Sequence, residues 1–242
     1  MAASRDPADL YPDIAVEGSL AAALQAAADE EDLDVRFEAS DSLRHASVMS
    51  VVPHRTALDI GAWAVERRWS IRGCETFQNM ALIEGNTHDI AQLARAACAW
   101  HNGAELAEIR RVAPFVHLTG RFEVPDHDPV HLTESEWQHL RTEASEMDGP
   151  EYRALIEAAY AEPALRRLYP FTSHWTLRFS TSTRPRLTTV PLCLDAHRQK
   201  PYSVSAHYMG EVLAEAATAE AAVSMALRHL PSDLVAMTPG VD

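Results

Sequence analysis

Apolar residues in the first seventeen positions follow no period, and residues 1–17 read as an irregular N-terminal arm. Periodicity begins at Ser19, which can cap an alanine-rich helix running to about Asp32 with Leu20 and Leu24 on one face. Leu33, Val35 and Phe37 then alternate with Asp34, Arg36 and Glu38, the two-residue repeat of a strand, and Val48, Val51 and Val52 continue the β pattern. Over residues 58–71 the alternation of Trp63, Val65, Trp69 and Ile71 favours strands, with Gly73 ending the run. Ala81-Leu82-Ile83 reads as a short buried strand. Thr87 is placed to cap the next helix, and Asp89 falls in its favourable first turn. Ile90, Leu93, Ala94, Ala97, Cys98 and Trp100 form the apolar stripe of that helix, and Asn102-Gly103 stops it.

The second half begins with an extended segment between Pro114 and Pro129, with Phe115 and Val116 buried, and then a loop. Thr133 and Glu136 have capping-box spacing, so a helix is expected around Trp137 and Leu140. Gly149-Pro150 breaks it and starts another helix to Tyr160, and Pro163 opens a shorter one. Residues 174–180, 187–194 and 202–208 read as three antiparallel strands before a last helix capped by Thr218 and ended by Pro231. A strand leading into Thr87-x-Asp89-x-Ala91 is echoed by one leading into Thr218-x-Glu220-x-Ala222. The order predicts an α+β fold, mostly antiparallel sheet with packed helices, in two β-then-helix halves joined by a helical segment. The expected divisions are an arm at 1–17, an α+β half at 18–132, a helical connector at 133–170 and C-terminal strands plus helix at 171–242, all within one compact unit.

Charge narrows the range of partners. The net charge of −14 disfavours a dedicated nucleic-acid binder, which needs cations to displace counterions from phosphates. Between Pro163 and Lys200, however, seven basic residues face one acid, a local net of +6 that leaves −20 on the rest. No run approaches the ~20 apolar residues of a membrane span. The start carries Arg5 beside Asp6 and Asp9 without the apolar core of a signal peptide, so a cytoplasmic protein with no membrane partner is expected. Cys74, Cys98 and Cys193 are odd in number and far apart, which suits buried thiols better than a disulfide framework or a zinc knuckle.

Several chemistries lack their motifs. There is no GxxxxGK, GxGxxG, GxSxG or HExxH, and nine glycines leave little from which to build a phosphate-cradling loop. No cofactor is expected. Asp126-His127-Asp128-Pro129-Val130-His131 holds metal-ligating residue types, but Pro129 interrupts helical spacing between the two histidines, and no metal is expected there. The stretch from Glu162 to Trp175 and on to Arg178 is richer. It leads from a helix into a strand, where polar side chains project from a fixed backbone. His174 suits general acid–base work and Tyr169 can donate a hydrogen bond. Arg166, Arg167 and Arg178, with Ser173, can hold a carboxylate or phosphate of a substrate. The alternative is structural, with Phe171 and Trp175 in the core, His174 capping a turn and the arginines on the surface.

Several separated runs carry a family resemblance: residues 81–87 (ALIEGNT), 99–103 (AWHNG), 113–116 (APFV), 155–163 (LIEAAYAEP) and 168–175 (LYPFTSHW). Over roughly residues 45–232 the chain resembles an actinobacterial family of natural-product biosynthesis proteins, a domain of unknown function. That resemblance implies a tailoring or accessory protein acting on a peptide or small-molecule intermediate, with partner biosynthetic enzymes. One enzymatic form is cofactor-free peptide cyclisation, in which His174 helps deprotonate a cysteine thiol that adds to a dehydrated residue. The alternative is a non-catalytic module that presents a leader peptide or holds a partner enzyme.

Overall fold

The computed structural model describes residues 6–196, 201–232 and 234–240. The fold is α+β with antiparallel sheets, and it divides into two compact units, Met1–Thr119 and Gly120–Asp242. Among the described residues no helix is long and apolar enough to cross a membrane.

The first unit contains α1 (Pro7–Leu10), α2 (Pro12–Glu17) and α3 (Leu20–Glu30), then β1 (His45–Val48), β2 (Leu58–Ala62), β3 (Trp69–Cys74) and β4 (Ala81–Thr87). It closes with α4 (Ile90–His101), α5 (Leu106–Val112) and β5 (Val116–Leu118). The strands pair in sequence order, each antiparallel to the next. Ile60, Trp69, Ile71 and Ile83 turn inward to share a core with Leu24 of α3 and Leu93 and Trp100 of α4. The arm expected to be irregular is helical where it is described. Asp6 caps α1, each helix begins on a proline, and Tyr11 is fully buried with its hydroxyl bonded to the carbonyls of Trp63, Glu66 and Arg68. The strand expected over Leu33–Phe37 is absent. Val35 is buried, but the Gln25 side chain takes the place of a neighbouring strand, donating to the Val35 carbonyl and accepting from the Phe37 amide. Thr87 ends β4, and Asp89 caps α4 instead.

The second unit contains α6 (Pro129–Glu146), α7 (Pro150–Ala161), α8 (Pro163–Arg166), β6 (Tyr169–Ser173), β7 (Thr176–Ser180), β8 (Ser182–Pro185) and β9 (Thr189–Asp195). After these come β10 (Tyr202–Ser205), β11 (Val212–Ala216), α9 (Ala219–Arg228) and β12 (Thr238–Gly240). Five strands form an antiparallel sheet in the order β11-β10-β9-β7-β6, while β12 and β8 make a small parallel pair. Gly240 is required in that pair, because a Cβ there would lie 1.8 Å from the Thr183 carbonyl oxygen. The helices expected as a connector belong to this unit's own core. Trp137, Leu155 and Ile156 pack with Leu177, Phe179, Leu192, Leu194 and Val204 from the sheet and Val223 from α9.

The start of α6 also differs from expectation. Asp128, rather than Thr133, is the cap and accepts from the amides of Val130 and His131. Glu136 is used elsewhere, in a buried two-pronged ion pair with Arg121 at 2.7 and 3.0 Å. In each unit a helix precedes an antiparallel meander and another follows it, and the two helices pack together, α3 with α4 and α7 with α9. This is the architecture behind the two β-then-helix halves expected from the sequence.

Candidate functional site

The hairpin joining β6 to β7 is as short as a hairpin can be. Ser173 pairs with Thr176, so His174 and Trp175 alone make the turn, with φ of +50° and +75°. Two positive φ values in a two-residue hairpin are the arrangement for which Asn-Gly is the favoured dipeptide. For residues with a Cβ this region costs roughly 1–2 kcal/mol each. The turn therefore holds a histidine and a tryptophan at positions where local energetics would select neither.

Each side chain has a definite environment. His174 is exposed, and its Nδ1 shares a hydrogen bond of 2.9 Å with the Tyr208 hydroxyl; the two rings stack 6.1 Å apart. Ser173 Oγ lies 3.4 Å from the same nitrogen. Trp175 is 51% exposed and meets Tyr152 of α7 edge-on at 5.4 Å. Beside the turn lies a cavity of about 340 Å³ lined by Tyr152, His174, Trp175, Asp195 and the turn from α6 into α7. Burial, with help from neighbouring Glu143, pushes the Tyr152 hydroxyl well above the usual phenol range, and Asp148, Glu151 and Asp195 also line the cavity.

Behind the turn, on the sheet face away from the helices, one row runs across four strands: Phe171, Arg178, Cys193 and Ser205 are successive cross-strand partners. The Arg178 guanidinium lies over the Phe171 ring at 4.8 Å and over the Tyr208 ring at 5.8 Å. It also lies close enough to the Cys193 thiol to draw back part of the rise that burial imposes on the thiol's pKa. In the adjoining row Thr176 donates to Asp195. Cys193 is almost fully buried and protonated at neutral pH, which suits a packing role better than a nucleophilic one.

The structure brings together only part of the expected set. His174, Ser173 and Arg178 converge through Tyr208. Tyr169 is fully buried in β6, so its hydroxyl is not available to a ligand. Arg166 and Arg167 are exposed at the end of α8, where the Arg166 guanidinium sits over Tyr160 of α7. The basic stretch is thus spread over different surfaces, and Arg198 and Lys200 lie outside the described residues. Trp175 lines the cavity instead of entering the core. Tyr208 and Tyr152 were missed, because only strand pairing and helix packing distant in sequence place them beside His174 and Trp175. In the Asp126–His131 segment, Asp128 serves as the helix cap with the His131 imidazole 3.8 Å away. Among the described residues no group of three or more His, Cys, Asp or Glu is arranged to hold a metal ion.

Residues 131–241 match the model of a family of unknown function, DUF6193. His174, Trp175, Arg178 and Tyr208 all fall within that segment. No curated protein matches the chain, and neither does any solved structure.

Proposed function

We propose that the second unit docks a peptide intermediate at the His174–Trp175 turn, as an accessory or tailoring protein of a natural-product pathway. The observation that carries the docking reading is the turn itself. Backbone strain of this kind persists where the surrounding structure over-determines it, and it concentrates at ligand clamps and active sites. Here it presents a half-exposed indole beside a cavity walled by Tyr152, a shape and chemistry suited to an apolar or aromatic side chain of a peptide. The strongly acidic chain disfavours nucleic acid as the partner. The pathway context comes from the sequence resemblance.

A second reading makes His174 an acid–base group in a cofactor-free cyclisation. One observation favours it. With Nδ1 held by Tyr208, Nε2 is the nitrogen left to exchange a proton. It would take the proton of a substrate cysteine as the sulfur bonds to the β-carbon of a dehydrated residue. The double bond is lost, and the α-carbon takes a proton from solvent.

Both readings are tested with a precursor peptide sought among the neighbouring genes. The parent protein, Trp175→Ala and His174→Ala, each verified as folded, are assayed for retention of the peptide and, by mass spectrometry, for its conversion. Trp175→Ala is expected to lose retention, and undiminished retention by that variant would overturn the docking reading. Normal retention with conversion lowered ~100-fold or more in His174→Ala would select the catalytic form.

A further inference from the structure

Arg178 has an unusual set of neighbours for a half-buried cation. Its guanidinium lies over two aromatic rings, Phe171 at 4.8 Å and Tyr208 at 5.8 Å, and its charge acts on the buried Cys193 thiol. No carboxylate pairs with it among the described residues. A guanidinium has five N–H donors in a rigid plane, and contact with aromatic rings uses up none of them. The group is also preorganised, since Phe171 and Cys193 are its cross-strand partners and fix its height on the sheet. Burial keeps the Cys193 thiol protonated, so it does not neutralise the neighbouring charge.

We infer that Arg178 is the receptor for a carboxylate of the ligand, held by the N–H fork of the guanidinium beside Phe171 and Tyr208. This rests on the docking reading above for the ligand's position, because Tyr208 touches both Arg178 and His174. A singly charged, planar group fits better than a phosphate dianion for two reasons. Arg178 supplies one positive charge, and the Asp195 carboxylate, in the adjoining row, is close enough to act on Cys193. A second ligand charge would meet Asp195 without a second cation. Planar carboxylate oxygens also match the two parallel N–H groups of the fork, a geometry that lysine does not reproduce. The chain's net charge of −14 gives no long-range help, so the contact acts within a Debye length of about 8 Å at physiological salt.

The test uses the full chain and three probes that share an aromatic ring: N-acetyl-phenylalanine, its primary amide and phenyl phosphate. Affinities are read from shifts of the protein's amide and arginine Nε–H resonances. In the parent protein the acid is expected to bind about tenfold or more tightly than the amide and to move the Arg178 Nε–H signal. Arg178→Lys is expected to erase most of that preference. Equal binding of acid and amide by the parent protein overturns the inference without any variant. So does a preference that survives in Arg178→Lys, and phenyl phosphate binding more tightly than the acid rejects the singly charged ligand. Trp175→Ala separates the two proposals. It should weaken acid and amide alike, and if it weakens neither while the acid preference still depends on Arg178, the docking reading fails and the carboxylate site stands.

Discussion

Replacing the turn dipeptide, His174→Asn with Trp175→Gly, isolates the energetic argument for the site. Asn-Gly is the pair that this turn geometry favours. Relief of positive φ at a bulky residue is worth roughly 1–2 kcal/mol for Trp175→Gly, and a few tenths more come from the tolerance of asparagine for that region. Against this stand three losses. The edge-on contact of Trp175 with Tyr152 contributes about 0.5–1.5 kcal/mol. The shielded half of the indole adds about 1 kcal/mol. The bond between His174 and Tyr208 adds about 0.5–1 kcal/mol. The sum leaves the variant about 1 kcal/mol less stable than the parent, well short of the ~3–5 kcal/mol that deleting a packed tryptophan normally costs. Urea unfolding followed by circular dichroism measures it, with retention of the precursor peptide assayed in parallel. A loss of about 1 kcal/mol in stability together with lost retention is the expected result. A loss of 3 kcal/mol or more would show that the two residues are there for packing, and the inference from strain to function would be wrong.

Two further outcomes follow from the second unit. Glu136→Gln removes the negative charge from the buried ion pair with Arg121 and should cost about 3 kcal/mol in urea unfolding; a loss under 1 kcal/mol would contradict the pairing. Tyr152 keeps its proton to higher pH in the folded state than in the unfolded chain, so its contribution is complete below about pH 10 and is lost as pH rises beyond that. Tyr152→Phe should therefore show a flatter alkaline limb of stability than the parent, and parallel limbs would refute the assignment.

What the sequence disclosed was local. Ser19 and Thr218 cap the helices they were expected to cap, Pro150 opens α7, and Asn102-Gly103 closes α4. Each of these signals acts within one helical turn, and nothing distant competes with it. The expectations failed where a distant group supplied the decisive bond. Gln25 satisfies the backbone around Val35 that alternation had assigned to a strand, and Arg121 claims the Glu136 that a capping box would have used. The site divides the same way. His174, Ser173 and Arg178 were legible as polar groups beside a helix-to-strand junction. The positive φ values were not, because His-Trp carries no turn signature, and His174 had been assigned to a strand. Tyr208 reaches His174 only through the pairing of β10 with β9 and of β9 with β7.

The Arg121–Glu136 pair also bears on how this unit can be inherited. The segment similar to DUF6193 begins at His131, already inside α6. The residues just before it complete that helix: Asp128 caps it, Phe122 exchanges two hydrogen bonds of 3.0 Å with Ser135, and Arg121 neutralises Glu136. A gene fusion that joined at the edge of the similarity would import a buried acid stripped of its counter-ion and a helix stripped of its cap. The smallest piece that recombination could transplant intact therefore starts no later than Arg121, upstream of the border that sequence similarity draws.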